Sequence, residues 1–164
     1  MANSIRGLVL FFARRYPEVI VQCRNVPEFD PHFNMTFHFL GHTYRETGRY
    51  TEAMDMFVKA YGGSQDSLDM AQLYALIGRR DDAKALLAKA KLHGGVAANN
   101  PYDRAAVYTA LGDTEAAFRE LDTAYRNHSD WLPFLKVDPR MDRLRKDPRF
   151  LRLLRALGMK PLRA

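Results

Sequence analysis

Small, aromatic and large apolar residues return along this chain in a fixed order and at a fixed spacing. In the clearest copy, Gly41 and Tyr44 are followed by Gly48, Ala53 and Phe57. Two later copies keep this order: Ala71, Tyr74, Gly78, Ala83 and Leu87, then Ala105, Tyr108, Gly112, Ala117 and Leu121. Residues 19, 53, 83 and 117 correspond to one another and are 34, 30 and 34 positions apart, so a weaker first copy lies near the N-terminus. A period of this size indicates a repeat of two helices.

Each copy predicts a helical hairpin. The glycine after each first helix can adopt the left-handed conformation that ends a helix. The alanine lies where the two helices cross, because a larger side chain would push them apart, and the apolar residue four positions later lies on the same buried face. The expected helices cover residues 2–13, 16–27, 34–47, 50–61, 67–77, 81–92, 102–111 and 114–126. Turn residues at Asp30-Pro31, Gly62-Gly63 and Gly94-Gly95 separate the hairpins.

The predicted fold is therefore all-α, a right-handed solenoid of about four helical hairpins with a C-terminal capping helix. The expected repeats cover residues 1–33, 34–63, 64–97 and 98–130, and a basic capping segment follows at 131–164.

The capping segment has its own helix signals. Asp147 lies directly before Pro148, and a carboxylate followed by proline is typical of a helix start. We expect a last helix from residue 148 to 157 that covers the exposed apolar end of the solenoid. Trp131 and Phe134 are expected to pack beneath it.

Several stretches of the C-terminal half carry a family resemblance. They are Pro101-Tyr102, Tyr108-Thr109-Ala110-Leu111-Gly112-Asp113, Trp131-Leu132, Leu135-Lys136-Val137-Asp138-Pro139 and Asp147-Pro148-Arg149-Phe150. These stretches resemble the C-terminal end of bacterial tetratricopeptide-repeat (TPR) regions, which often follow a winged-helix regulator, a Ser/Thr kinase or a cyclase domain. The resemblance implies a protein–protein interaction scaffold, without catalytic activity or cofactor, in a bacterial regulatory system. Its partner would be a protein or peptide, and self-association is left open.

Composition agrees with a globular protein. Apolar residues make up 47% and charged residues 27% of the 164 residues. The apolar run at 8–13 is far shorter than the ~20 residues that span a bilayer, so we expect no membrane span. The only cysteine, Cys23, excludes an internal disulfide. These features favour a reduced, cytoplasmic location.

In the resembled family, ligands lie in the concave groove lined by the first helix of each repeat. Mapping that face onto this sequence gives a groove with an aromatic end and a mixed polar middle, which suits a peptide. The predicted peptide-binding residues are Phe11, Phe12, His38, His42, Arg45, Glu46, Gln72, Tyr102 and Thr109.

His38 and His42 are four positions apart, with Glu46 four further on. One helical face therefore presents all three, and a divalent metal could reach them. No acidic residue lies between the histidines to act as a general base. We interpret them as surface or hydrogen-bonding histidines and expect no metal, and no arrangement of nucleophile and base predicts catalysis.

The net charge of +6 is concentrated at one end of the chain. From Lys136 onward there are ten Lys or Arg against three Asp, and the rest of the chain is nearly neutral. Arg149, Arg152 and Arg155 could bind phosphates through this excess. The alternative function is thus an anion-binding or nucleic-acid-binding accessory module. Nucleic acid is the less favoured partner, because no aromatic residues alternate with these arginines to stack on bases.

Overall fold

The computed structural model describes residues 2–26, 33–93 and 100–160 and shows an all-α solenoid of helical hairpins. The helices are α1 (Ala2–Phe12), α2 (Tyr16–Arg24), α3 (Phe33–Glu46), α4 (Tyr50–Ala60), α5 (Leu68–Leu76), α6 (Arg80–His93), α7 (Pro101–Leu111), α8 (Thr114–Arg126) and α9 (Pro148–Ala156). Two short 3₁₀ helices, Leu132–Phe134 and Pro139–Leu144, lie between α8 and α9. The expected turns at Asp30-Pro31 and Gly94-Gly95 lie outside the described residues.

The crossing positions of the four hairpins are equivalent in space as well as in sequence. Val19, Ala53, Ala83 and Ala117 are all completely buried. Phe57 and Leu121, four positions beyond their alanines, are completely buried as well. The repeated residues thus form the packing between paired helices, which is the structural role that their spacing predicts.

The first helices end in the same way at all four hairpins, although only three of them use glycine. Gly48, Gly78 and Gly112 have φ of 75°, 86° and 77°. Arg14, which lies 34 positions before Gly48, has a φ of 58°. The next residue, Arg15, donates its N–H to the carbonyl of Leu10 at 2.9 Å, as Arg49 does to Tyr44 at 2.8 Å. An arginine therefore occupies a left-handed position that normally favours glycine.

Helix α9 lies against the last hairpin. Its residues Phe150, Leu153 and Leu154 are buried in one apolar cluster with Phe118 and Leu121 of α8. Asp147 caps the start of the helix, because its carboxylate accepts the N–H of Arg149 at 2.8 Å. The packing of α9 on the last hairpin covers the apolar side of α8, which would otherwise face water.

Residues 131–145, which we term the bridging segment, do not follow the path that the sequence suggested. Phe134 does not pack beneath α9; it stacks on Phe12 at the end of α1, with ring centroids 4.7 Å apart. Trp131 remains about one-third exposed. The bridging segment also packs along α7, where Arg143 donates to the carbonyl of Ala110 at 3.2 Å. It thus connects the first helix of the first hairpin with the first helix of the last.

Candidate binding site on the first-helix face

Helices α1, α3, α5 and α7 are the first helices of the four hairpins, and we term their common side the first-helix face. At its α1 end the side chains are aromatic. The rings of Phe11 and Phe12 meet edge to face at 5.5 Å, and Phe11 is also 5.8 Å from the ring of His42. Phe12 is covered on its other side by Phe134. The predicted aromatic end therefore exists, and the bridging segment already occupies part of it.

The middle of the face brings His38 and His42 of α3 next to Asp69 of α5. His38 Nδ1 lies 3.7 Å from Asp69 Oδ2, and His42 Nε2 lies 3.7 Å from Asp69 Oδ1. Burial lowers the pKa of His42 to about 3, which keeps its imidazole neutral. Burial alone would raise the pKa of Asp69, but His42 and Arg45 outweigh it and lower that pKa to about 2. At neutral pH this group is an ionised carboxylate beside a neutral imidazole.

Arg45 and Gln72 together link three of the hairpins. Arg45 is buried, and its Nη1 donates to Gln72 Oε1 at 2.6 Å. Its Nε and Nη2 donate to Glu46 Oε1 at 3.1 and 3.0 Å. Gln72 in turn donates to the carbonyl of Ala106 in α7 at 3.4 Å. The predicted residues Arg45, Glu46 and Gln72 are thus close together, and the guanidinium of Arg45 is engaged inside the protein.

The α7 end of the face is closed by the bridging segment. Tyr102 is completely buried, and its hydroxyl donates to Asp138 Oδ2 at 3.0 Å. Burial and the nearby Asp138 carboxylate raise the pKa of Tyr102 well above its usual value. Arg140 lies between two carboxylates, 2.8 Å from Asp138 and 2.8 Å from Asp103. A ligand reaches Tyr102 only if the bridging segment moves.

Thr109 is the most separate of the predicted binding residues. It is buried, and its hydroxyl donates to the carbonyl of Ala105 one helical turn earlier, at 2.7 Å. This bond is internal to α7 and leaves the side chain turned to its own helix.

Sequence reasoning missed the residues that hold the bridging segment in place. These are Arg14, Asp103, Asp138 and Arg140, and Arg14 contributes an ion pair with Asp142 at 2.7 Å. Asp138 directly precedes Pro139, as Asp147 precedes Pro148, and it likewise caps a helix by accepting the N–H of Arg140 at 2.9 Å. Neither the burial of the Asp138 carboxylate nor its hydrogen bond with Tyr102 could be predicted from local sequence spacing.

The three arginines of the alternative site differ in their surroundings. Arg149 pairs with Asp147 and Glu115, each at 2.8 Å, and its guanidinium lies 4.2 Å from the centre of the Phe118 ring. Arg152 and Arg155 are exposed. Arg149 and Arg152 line an open cleft of about 320 Å³ between α8 and α9. The carboxylates already bound to Arg149 reduce the positive charge that this cleft offers to an anion.

Comparison with known proteins supports the repeat. Residues 36–62, which are most of α3 and all of α4, match the family model of the tetratricopeptide repeat. No curated protein matches the chain. No solved structure matches it either. A TPR within an all-α solenoid supports a protein–protein interaction module in general, and proteins with this repeat are typically non-catalytic scaffolds. Among the described residues, the helices are too short or too polar to cross a bilayer.

Proposed function

We propose that this chain is a protein-interaction module that binds a segment of a partner protein on its first-helix face, in exchange for part of its own bridging segment. The observation that carries this proposal is the bridging segment itself. It lies on the first-helix face without forming a regular α-helix, and it is held by an aromatic stack and ion pairs. A peptide with an aromatic and an acidic residue would make the same contacts.

The two ends of the bridging segment differ in how easily a partner can replace them. Asp138 and Arg140 are almost without solvent contact, and separating them would leave a buried charge. Arg14 and Asp142 are 46% and 40% exposed, so their ion pair contributes at most about 1 kcal/mol. We therefore place partner binding at the α1 end, around Phe12, His38 and Glu46, which are only half-buried.

The biological setting is a further part of the proposal. The C-terminal stretches that resemble bacterial TPR regions favour a role in a bacterial regulatory system, in the cytoplasm and without catalysis. The partner is a protein or peptide.

A photo-reactive amino acid at two matched positions tests the binding face. Met35 of α3 shares a helical face with His38 and His42 and is 44% exposed, whereas Tyr125 of α8 is 40% exposed and lies in the α8–α9 cleft. In cells, the crosslinker at position 35 should capture a defined partner that the crosslinker at position 125 does not. Capture at position 125 alone contradicts the proposal.

Exchange with the bridging segment has its own test on the captured partner. Changing Arg14→Asp or Asp142→Arg alone should raise partner affinity several-fold, because the competing segment is held less firmly. The double exchange restores the pair between positions 14 and 142 but not the contact of Asp142 with Arg145 at 2.6 Å, so it should return the affinity part of the way to that of the wild type. If partner affinity instead falls in a variant with Arg149, Arg152 and Arg155 changed to Glu, and weakens steeply with salt, the alternative anion-binding function is correct.

A further inference from the structure

We propose that His38, His42 and Asp69 form a binding site for a divalent transition-metal ion, with Zn²⁺ as the best match. Two imidazoles and one carboxylate are a ligand set that zinc accepts. The proposal does not depend on partner binding. The third ligand is Asp69 of α5 rather than Glu46, the residue that helical spacing places on the same face as the two histidines.

The distances between the three ligand groups suit a metal better than a hydrogen bond. Each histidine has one nitrogen 3.7 Å from an oxygen of Asp69, beyond hydrogen-bonding range. One ligand atom from each of the three residues falls within 4.8 Å of the other two. Tetrahedral ligands that bind Zn²⁺ at 2.0–2.1 Å are about 3.4 Å apart. Side-chain adjustments of less than ~1.5 Å would close the site around one ion.

The surrounding charges favour a cation. Four carboxylates, from Glu46, Asp69, Asp103 and Asp138, face the two guanidinium groups of Arg45 and Arg140. Arg45 is the cation closest to Asp69, at 3.8 Å, but its N–H groups donate to Glu46 and Gln72. Among these groups negative charge is in excess, and a bound divalent ion would offset it.

Neighbouring residues hold the ligands in position. The hydroxyl of Tyr61 donates to Asp69 Oδ2 at 2.7 Å, and its ring meets the ring of His38 edge to face at 4.8 Å. Such outer contacts orient the ligands of metal sites. His42 Nδ1 is buried with no hydrogen-bond partner in the described parts of the chain, while Nε2 points toward Asp69. Nε2 is therefore the nitrogen of His42 that could bind a metal together with Asp69.

The site would be open rather than closed. Three protein ligands leave one position of a tetrahedral ion for water. His38 is the most exposed of the three, with 33% of its side chain accessible, so an ion would enter at its side.

Cobalt titration of the metal-stripped full chain tests the site. Tetrahedral Co²⁺ with nitrogen ligands absorbs visible light, and Zn²⁺ should abolish this absorption by competition. We expect one equivalent per chain. His38→Gln and Asp69→Asn should weaken binding by more than the ~100-fold that loss of an outer contact can cost. His128→Asn is the control, because His128 is exposed and asparagine tolerates its φ of 51°. This variant should bind as the wild type does.

Two results would overturn the proposal. One is a wild type that gives no saturable cobalt absorption. The other is unchanged affinity in His38→Gln, which would mean that the ion binds to other histidines. Circular dichroism confirms that each variant is folded. If Asp69→Asn does not fold, the cobalt affinity of His38→Gln alone decides the test, because His38 is partly exposed.

Discussion

The crossing positions of the hairpins and the first-helix face belong to the same helices but are used in different ways. At the crossings, Val19, Ala53, Ala83 and Ala117 are buried alike in every hairpin. Along the first-helix face the surroundings change from one hairpin to the next. That face is aromatic at α1, carries imidazole and carboxylate groups between α3 and α5, and is covered by the bridging segment at α7. The repeated positions define the fold, and the positions that do not repeat define what the surface can bind.

The largest loss of stability is expected at Asp138, which anchors the bridging segment to the first-helix face. Asp138→Ala removes the carboxylate that accepts bonds from Tyr102 and Arg140, and leaves the Arg140 charge buried with Asp103 as its remaining acid. We expect the free energy of unfolding to fall by about 3–5 kcal/mol in urea denaturation. Asp130→Ala, an exposed change in the same part of the chain, should have little effect. Equal losses in both variants would mean that Asp138 is not an anchor.

The stabilisation that the Asp138 carboxylate provides should also depend on pH. Burial alone would raise the pKa of Asp138, but the Arg140 charge and the hydrogen bonds from Arg140 and Tyr102 lower it below its usual value. A carboxylate with a depressed folded-state pKa stabilises the fold above its unfolded value, about 3.9, and this contribution disappears as the pH falls through the folded value. The wild type should therefore lose, below about pH 4, a stabilisation that Asp138→Ala lacks at every pH.

The second-largest loss of stability is expected in the repeated packing between helices. Gly7 and Gly41, which occupy the same position of successive hairpins, allow a matched test. A Cβ added at Gly41 would lie 2.6 Å from a ring carbon of the fully buried Phe57, whereas one at Gly7 would lie 3.3 Å from the half-buried Phe39. Gly41→Ala should lower the free energy of unfolding by about 1–3 kcal/mol through overpacking. Gly7→Ala should be close to neutral, because alanine gains about 1 kcal/mol of helix propensity there. Similar losses at both sites would refute this difference in packing.

Sequence reasoning worked best where local physics decides the structure. Helix starts were predicted within one residue in the described hairpins, and most ends as closely, because a repeated spacing and a terminal glycine fix them. The end of α2 was the largest error: the helix stops at Arg24, three residues before the expected end.

The candidate site was predictable only in part. Phe11, Phe12, His42, Arg45 and Gln72 do lie together, because a helical face can be deduced from periodicity. The partner of the two histidines could not be deduced. Spacing pointed to Glu46, which instead binds Arg45 on its own helix, and Asp69 comes from the next hairpin. The bridging segment was missed because its contacts join residues as far apart as Arg14 and Asp142, and no period relates them.

A smaller effect is expected at the aromatic contact between α1 and the bridging segment. Phe12 and Phe134 stack with an angle of 11° between their ring planes. A double-mutant cycle with Phe12→Ala and Phe134→Ala should give a coupling free energy of about 0.5–1.5 kcal/mol in urea denaturation. A control cycle that pairs Phe12→Ala with Tyr125→Ala should be additive. Coupling near zero between Phe12 and Phe134 would show that the aromatic stack does not hold the bridging segment at α1.

The smallest effect is expected at Arg14, which lies both at a repeated position of the hairpins and in contact with the bridging segment. Arg14 occupies the left-handed position that is glycine in the other three hairpins, and its side chain reaches Asp142 of the bridging segment. Arg14→Gly removes a backbone strain of about 1–2 kcal/mol. It also loses an exposed ion pair worth at most about 1 kcal/mol and adds about 0.4–1 kcal/mol of unfolded-state entropy. The net change at low salt should be close to zero.

Salt separates the opposing contributions of Arg14, because it screens the exposed ion pair and leaves backbone strain unchanged. In about 1 M salt the wild type no longer benefits from the contact with Asp142, so Arg14→Gly should become the more stable protein, by up to about 1.6 kcal/mol. His128→Gly is the matched control: its φ of 51° is similar, and the structure describes no ion pair for it. The stability difference between this variant and the wild type should be the same at both salt concentrations. If Arg14→Gly behaves in the same way, the ion pair contributes nothing, and the arginine at this position is not explained by its contact with the bridging segment.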